Sequence, residues 1–405
     1  MTAALKPGCG AEVAEAITGA VADEKRLEAV GHGSKRDLGR PVEADLILDL
    51  SGLAGVTLYE PQELVLSAQA ATSLAEVEEL LAGNGQELAF EPMDYGPVLG
   101  REAGRGTIGG ALAVNLSGPR RPKAGAARDH FLGVTAVSGR GELFKAGGRV
   151  VKNVTGYDFC KVLAGSWGTL AVLVEVTLKV LPKAETEASV LVTGLDDAEA
   201  ARAMAAAMAS PAEISGAAHF PAAVAQRVPL EGRAPGALTA FRLEGFAPSV
   251  AYRRDRLSGL LARFGAVEII RENASRALWR IVRDALPFAR DARPLWRVSV
   301  TPTRGPEFVR FVQDHREAEA LYDWAGGLVW LAVSGASEAA EPVVRAAVRA
   351  AGGGHATLVR ADPALRAAVP VFEPQPPALS ALTRRLKQNL DPFGVLNPGR
   401  MYPGV

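Results

Sequence analysis

Two glycine-rich segments of the sequence could bind the phosphate groups of a nucleotide. The first, Gly31-His32-Gly33-Ser34, follows a short apolar run that is typical of a β-strand. Because glycine lacks a Cβ atom, consecutive backbone N–H groups in such a turn can point at one anion. The spacing differs from the dinucleotide motif G-x-G-x-x-G, since Arg36 occupies the third glycine position. The residues therefore predict an anion-binding turn, with an ordinary turn as the alternative.

The second segment, residues 106–118, reads GTIGGALAVNLSG. It places Gly109 and Gly110 at the predicted start of a helix, where backbone donors and the helix dipole favour a phosphate group. Close packing of that helix would also explain both glycines. No G-x-x-x-x-G-K-[ST] motif occurs in the sequence, and neither segment alone identifies a nucleotide site.

A third segment, VKNVTGYDFCKVLAGSWGTLAVLVEVTL from Val151, combines a polar approach, a short helical pattern, a glycine turn and an apolar strand. It contains no evident nucleophile. Tyr157 and Asp158 are also typical of residues that cap a following helix. Cys160 has the surroundings of a small buried side chain more than those of a redox thiol. The residues alone leave the role of this segment open.

Composition limits the class of protein. The chain has 405 residues, more than the roughly 250–300 at which a single core stops growing, so two domains or one large domain with an insertion are expected. Lys and Arg total 45, as do Asp and Glu. This balance argues against nucleic-acid binding and against a polybasic segment that would hold the chain on a membrane. Cys9 and Cys160 are too few for an iron–sulfur cluster or a disulfide framework. We expect a cytoplasmic protein with no transmembrane segment and no secretory signal.

Hydrophobic periodicity predicts the elements that position these segments. Val13, Ile17 and Val21 recur on one face of a helix over residues 11–27. Thr72 is predicted to cap a helix that carries Leu74. The run GVTAVSGRGELFKAG reads as a hairpin, because Ser-Gly-Arg-Gly supplies its turn.

The pattern of predicted strands and helices changes after residue 185. Strands there alternate with Ala- and Arg-rich helices, which predicts an α+β or α/β unit. We expect a first domain over residues 1–185 with subdomains of about 1–58 and 59–185, a cap over 186–365, and a C-terminal helix and tail over 366–405.

The order of the motifs resembles the vanillyl-alcohol oxidase, or PCMH-type, family of FAD-binding flavoproteins over about residues 8–182. The resemblance rests on VGHGSKRDLG, GTIGGALAVNLSGPRR, RDHFLGVTAV, VKNVTGYDFCKVLAGSWGTLAVL and DPFGVLNPGRM. It implies an α+β fold, with an FAD-binding domain of two α+β subdomains and an α+β cap domain. It also implies that the third segment needs no nucleophile, because the bound cofactor carries the chemistry.

The same resemblance implies FAD contacts from the matching positions. These are Gly31, His32, Gly33, Ser34, Thr107, Ile108, Gly109, Gly110, Asn115, Gly118, Thr155, Gly156, Tyr157, Gly168, Thr169 and Val172. Some members of the family tether the flavin through a loop histidine, but that position corresponds to Gly33 here. His32 lies one residue earlier, so noncovalent FAD is expected.

Further motifs, among them GHGSKRDLG, LAFEP and NLSGPRRPKAGAARDHFLGV, resemble the FAD-binding E subunits of bacterial glycolate oxidases. That resemblance implies oxidation of glycolate, a small 2-hydroxy acid, to glyoxylate by hydride transfer to flavin. It also implies a larger FAD-containing D subunit and an iron–sulfur F subunit as partners, with membrane association only through the complex. Two alternatives stay open: a noncatalytic scaffold subunit that keeps the FAD fold, and an independent flavin-dependent dehydrogenase of another 2-hydroxy acid, alcohol or sugar acid.

The sequence departs from the family pattern at two points, and it supports two further predictions. Related catalytic flavoproteins carry a Glu-His pair and metal-binding histidines, whereas AGGGHATLVRADP contains His355 without an adjoining glutamate, so no metal site and no catalytic residue is assigned. Trp167 stands where many relatives have the Glu of Gly-Ser-Glu-Gly-Thr. Asn397 and Arg400 are expected where the tail meets the flavin domain, although Asn-Pro-Gly is also a turn signal. The tryptophans of the cap are expected to pack in its core or at an interface.

Overall fold

The computed structural model describes residues 3–149, 156–230, 235–335 and 338–405. Its N-terminal sheet is parallel and consists of β1 (Ala3–Leu5), β2 (Leu27–Val30) and β3 (Leu46–Asp49), in the order β1-β3-β2. Helix α1 (Gly10–Ala22) connects β1 to β2. Val13 and Ile17 of α1 are fully buried, as their periodicity predicts. The helix ends before the predicted residue 27, because Glu24 adopts a left-handed conformation with φ 54°.

The second sheet is antiparallel and has the order β4-β5-β9-β7-β8, and a short pair, β10-β6, lies apart from it. The elements of this region are β4 (Val56–Glu60), β5 (Val65–Gln69), α2 (Leu74–Gly83), β6 (Gln86–Glu87), α3 (Ile108–Ala113), α4 (Arg121–Ala124), α5 (Ala127–His130), β7 (Phe131–Ser138), β8 (Leu143–Gly147), α6 (Phe159–Leu163), β9 (Ala171–Lys179) and β10 (Leu181–Pro182). Strands β7 and β8 pair as the predicted hairpin.

The cap of helix α2 corrects one expectation. Ser73, not Thr72, is the N-cap, and its side chain accepts a hydrogen bond from the backbone N–H of Glu76. Thr72 is one residue too early and fully buried. Its hydroxyl donates to the carbonyl of Gln69 at 2.7 Å and accepts from the N–H of Gly55 at 2.9 Å, so Thr72 ties two loops together.

The third sheet is antiparallel throughout and has the order β14-β11-β13-β12-β16-β17-β15-β18, which makes the cap α+β rather than α/β. Its elements are β11 (Thr186–Thr193), α7 (Asp197–Met208), β12 (Gly216–Phe220), α8 (Ala222–Ala225), β13 (Leu238–Gly245), α9 (Ala247–Leu261), β14 (Val267–Arg271), α10 (Glu272–Arg283), β15 (Leu295–Ser299), α11 (Gly305–Gln313), β16 (Ala318–Asp323), β17 (Leu328–Val333), α12 (Glu341–Ala350), β18 (His355–Arg360), α13 (Pro363–Ala368) and α14 (Pro377–Leu390).

One apolar core runs from the second sheet into the third. It includes Leu66 and Phe131 on the former, Trp330 on the latter, and Trp279 on helix α10, which packs against the third sheet. The cap tryptophans are buried, as predicted, and Trp324 lies at the boundary, where its Nε1 donates to the carbonyl of Gly118 at 2.9 Å. In the part of the chain that the structure describes, no helix is both long and apolar enough to span a bilayer.

The C-terminal tail contacts the N-terminal sheet. Leu396 forms a parallel bridge with Leu27 at the start of β2, and the N–H of Leu27 donates to the carbonyl of Val395 at 2.8 Å. The N–H of Arg40 donates to the carbonyl of Arg400 at 2.9 Å. The tail therefore lies beside the first glycine turn.

Candidate functional site

A cleft opens between the N-terminal sheet, helix α3 and strand β9. The sequence-predicted residues on its walls are Gly31, His32, Gly33, Ser34, Thr107, Gly109, Gly110, Gly168 and Val172. A Cβ atom placed on Gly31 would be 3.2 Å from Oγ1 of Thr107, so the first two glycine segments meet directly.

The first turn carries free backbone donors. Strand β2 ends at Val30, and Gly33 then adopts φ 74°, a conformation that favours glycine. Within the described ranges, the N–H groups of residues 32–35 donate to no acceptor of the protein. Burial and then Arg105 lower the pKa of His32, so its imidazole is neutral at pH 7. The turn can therefore offer several N–H groups to one anion.

The N–H groups at the start of helix α3 are not free, although the sequence favours a phosphate group there. The N–H of Ile108 donates to the carbonyl of Thr72 at 3.0 Å, and that of Gly109 to the carbonyl of Ala70 at 2.8 Å. The N–H of Gly110 donates to Thr107 Oγ1 at 3.2 Å. A Cβ on Gly109 would lie 2.6 Å from the Cβ of Ala70. These N–H groups are already used inside the protein, so the glycines of α3 contribute close packing and the shape of the cleft.

Lys35 supplies a cation that the sequence reasoning missed. It lines the cleft, and a Cβ on Gly110 would be 3.4 Å from its Nζ. Among the described residues Nζ forms no ion pair, and its nearest hydrogen-bond acceptor is Ser34 Oγ at 3.3 Å. Burial lowers the pKa of Lys35 to about 8, against the opposing effect of Asp94. A desolvated ammonium beside free N–H groups fits the diphosphate of FAD, because a bound anion restores the lost solvation.

The C-terminal tail holds both walls of the cleft together. The Asn397 side chain accepts from the N–H of Ala29 at 2.9 Å and donates to the carbonyl of Trp167 at 2.9 Å. Nη2 of Arg400 donates to the carbonyl of Lys35 at 3.0 Å. Both tail residues line the cleft. Trp167 packs edge-on against Phe372 of the same chain, with ring centroids 4.9 Å apart.

Some predicted residues do not reach the walls of the cleft. Ile108 is fully buried in the core, and the Thr169 hydroxyl donates to the carbonyl of Ser166 at 2.8 Å. Gly156 and Tyr157 are exposed, Tyr157 to 86%, and Thr155 lies outside the described residues. Their contact with FAD stays a prediction.

Neighbouring residues of the third segment have structural roles. The Asp158 side chain caps α6 by accepting from the N–H of Lys161 at 3.2 Å. Burial raises the pKa of Cys160 to about 11, as expected for a small buried side chain rather than a reactive thiol. His219 is fully buried, with Nδ1 2.9 Å from Thr239 Oγ1, and so has a structural role.

Asn115 and Gly118 line a second space, a small interdomain cavity between the second and third sheets. Asn115 Oδ1 accepts from the N–H of Arg128 at 3.0 Å, which fixes the start of α5. A Cβ on Gly118 would be 2.4 Å from the carbonyl oxygen of Glu91, so only glycine allows this contact. Val114 and Trp167 line both the cleft and the interdomain cavity, and the two spaces therefore adjoin.

Polar groups from the third sheet and from the loop around Tyr95 reach the interdomain cavity. Asp323, at the end of β16, is 1% exposed, and its Oδ1 accepts from the N–H of Trp324 at 2.7 Å. Burial raises the pKa of Asp323 to about 7. Burial also raises the pKa of the Tyr95 phenol, and Arg297 lines the wall formed by β15. The arrangement offers a proton acceptor and a cation next to the cleft.

Comparison with known proteins identifies the family. The chain is 35% identical to glycolate oxidase subunit GlcE of Escherichia coli over 389 residues, which covers 96% of both chains. The chain belongs to the GlcE family. The family model described as an FAD binding domain matches residues 1–147, the region that contains the first two glycine segments. The FAD binding domain and the similarity to GlcE indicate an FAD-linked oxidoreductase, with FAD as the cofactor.

More distant relatives support the same fold. Glycolate oxidase subunit GlcD of Bacillus subtilis is 28% identical over 192 residues, which is 47% of this chain and 39% of that protein. The solved structure of p-cresol methylhydroxylase has a TM-score of 0.68 at 13% identity and covers 98% of this chain and 88% of its own. 4-Ethylphenol oxidase from Gulosibacter chungangensis has a TM-score of 0.69 at 13% identity, over 99% of this chain and 89% of its own. The PCMH-type α+β fold is thus confirmed.

Proposed function

We propose that this chain is the FAD-binding subunit of a glycolate oxidase (glycolate dehydrogenase) complex, which oxidises the CH–OH group of glycolate to give glyoxylate. The observation that carries the proposal is the match to GlcE over 96% of both chains. It extends through the cleft and through the third sheet, so it includes both walls of the interdomain cavity.

The chain's own residues suit this reaction. The free N–H groups of residues 32–35 and the Lys35 ammonium hold the diphosphate of noncovalently bound FAD. When bound, FAD supplies the acceptor for the hydride that leaves Cα of the substrate. Asp323 Oδ2, which accepts no hydrogen bond from the described residues, is available to take the hydroxyl proton. Its pKa of about 7 suits a general base at neutral pH.

The onward path of the electrons leads to other polypeptides. An iron–sulfur cluster needs about four cysteine ligands, and this chain has Cys9 and Cys160 alone. GlcE and GlcD are both described as subunits, which supports a multi-subunit complex. We therefore assign a larger FAD-containing D subunit and an iron–sulfur F subunit as partners, in the cytoplasm, with any contact to a membrane made through the complex.

The proposal is tested by purifying the full chain alone and co-expressed with its partners. The expected chain is yellow, with flavin absorbance, and glycolate added to the complex without oxygen bleaches that absorbance. Gly33→Asp places a carboxylate in the anion-binding turn, and it should remove FAD from this subunit and stop glycolate-dependent dye reduction. Gly83→Asp, at an exposed position with open space around it, is the control.

Two outcomes would contradict the proposal. A wild-type chain that purifies colourless and does not take up added FAD would exclude a flavoprotein. A complex whose Gly33→Asp subunit lacks FAD but keeps full activity would show that this chain is a noncatalytic scaffold.

A further inference from the structure

Two arginines lie on the indole ring of Trp324 beside the interdomain cavity. Cζ of Arg121 is 4.5 Å and Cζ of Arg297 is 5.0 Å from the ring centroid. Arg297 comes from β15, lines the cavity and also lies 6.0 Å from the ring of Trp330. Burial and then the charge of Arg297 lower the pKa of Arg121. The two cations therefore make this wall of the cavity electropositive.

Arg297 forms no ion pair in the described part of the chain, and its guanidinium donates no hydrogen bond there. The Asp323 carboxylate, on the same cavity, feels its charge without contacting it. Two buried arginines are paired, by contrast: Arg242 binds Glu91 and Arg345 binds Glu373. The Arg297 side chain is half-buried, and burying part of a guanidinium, which has five N–H donors, without acceptors costs free energy. The unused donors of Arg297 thus point to a ligand with acceptor oxygens.

The shape of the cavity restricts that ligand. Leu38, Met93 and Leu328 form apolar walls, and the rings of Trp330 and Tyr95 lie 6.3 Å apart in an edge-on contact. Rigid walls of this kind leave room for a few heavy atoms beside the guanidinium. A planar carboxylate can accept two parallel hydrogen bonds from one arginine, which makes it the acceptor group that fits best.

We propose that Arg297 binds the carboxylate of a short 2-hydroxy acid in the interdomain cavity and so selects acids over neutral alcohols. This inference rests on the proposed function. The hydroxyl-bearing carbon then lies on the side of the cavity that adjoins the cofactor cleft, where Val114 and Trp167 line both spaces. Arg297 holds the substrate and takes no part in proton transfer.

The test compares binding of oxalate, a carboxylate that cannot lose a hydride, with binding of the neutral amide glycolamide. Both ligands are titrated by calorimetry into the FAD-loaded full chain. Arg297→Met should weaken oxalate binding roughly 10–100-fold, since charge-assisted hydrogen bonds contribute about 1.5–3 kcal/mol. Arg297→Lys, which keeps the charge but not the two-pronged geometry, should give an intermediate loss. Glycolamide binding should change less than about twofold.

Flavin content and unfolding temperature are measured for every variant. Arg349→Met, at an exposed site in the last turn of α12, is the matched control. If Arg297→Met and Arg297→Lys bind oxalate like the wild type while retaining FAD, the inference is wrong and the proposed function stands. If the wild-type chain takes up no FAD, the proposed function fails and the inference fails with it.

Discussion

Arg242 on β13 donates two hydrogen bonds to Glu91, at 2.7 Å from Nη1 to Oε1 and 2.9 Å from Nη2 to Oε2. This pair joins the third sheet to the loop that follows β6. Arg120 and Glu244 extend the contact, with Nη2 of Arg120 2.5 Å from Oε1 of Glu244. Burial opposes ionisation of Glu244, but Arg242 and Arg120 outweigh it and hold its pKa at about 2. These four residues, the interdomain ion network, fix the two sides of the interdomain cavity relative to each other.

Glu91→Gln should destabilise the protein strongly, because it removes the carboxylate that accepts two hydrogen bonds from Arg242, which is 1% exposed, and leaves Glu244 as the counter-charge for both Arg242 and Arg120. Removing one partner of a buried ion pair costs about 3–5 kcal/mol, and urea denaturation measures the loss. Asp45→Asn, which breaks the exposed pair with Arg26 at 3.4 Å, is the control and should cost less than about 1 kcal/mol. Equal losses from the two variants would contradict the role of the interdomain ion network.

Glu187 should make stability fall as pH rises from about 4.5 to 7. Burial raises its pKa to about 7, whereas an unfolded chain has a value of about 4.3. Between these values the folded state binds a proton that the unfolded state has lost, so the stabilisation is complete below the lower value and lost above the higher one. The free energy of unfolding of Glu187→Gln, relative to that of the wild type, should therefore be higher at pH 8 than at pH 5. An unchanged difference, as expected for exposed Glu185→Gln, would refute this assignment.

Lys35→Met should weaken FAD binding by roughly 10–100-fold, the effect of losing a charge-assisted contact. The pKa of about 8 gives this contact a pH dependence. Wild-type affinity for FAD should fall as pH rises above about 8, because the ammonium loses its proton, and Lys35→Met should lack that fall. Fluorescence titration with FAD measures both effects. Lys25→Met, at an exposed site paired with Asp23, should bind FAD like the wild type.

Gly109→Ala should lower the unfolding temperature and FAD content together. Its new methyl group would overlap Ala70, at 2.6 Å from Cβ and 2.7 Å from the carbonyl oxygen, and overpacking of this kind costs about 1–3 kcal/mol. Gly19→Ala, in the exposed face of α1 with nothing within 4 Å, should instead stabilise by about 0.5–1 kcal/mol. A stable, FAD-replete Gly109→Ala variant would show that α3 does not need this close approach to β5.

Local patterns predicted much of this fold. The burial of Val13 and Ile17 and the β7–β8 hairpin follow from signals within short stretches of sequence. The return of the tail was implied by the family resemblance, because no local signal encodes a contact between Leu27 and Leu396. The predicted cap of α2 is wrong by one position, because Thr72 and Ser73 are both capping types and the tertiary contacts of Thr72 decide between them.

The site itself was less predictable. The N–H groups of α3 were expected to face a phosphate, but Thr72 and Ala70 accept two of them, a pairing that no local pattern encodes. Lys35 and Arg297 were missed because a single cation carries no periodic signal. The lowered pKa of Lys35 and the position of Arg297 beside a cavity depend on the cleft and the interdomain cavity, which only the folded chain creates.

The hydrogen bond between Ala29 and Asn397 joins positions 368 residues apart. Asn397 is synthesised long after Ala29 has left the ribosome. A nascent chain that has not reached residue 397 therefore lacks the side chain that joins Ala29 to Trp167 across the cleft. We expect flavin to load only after residue 397 has been added, and polypeptides truncated before Asn397 to accumulate in cells as apoprotein.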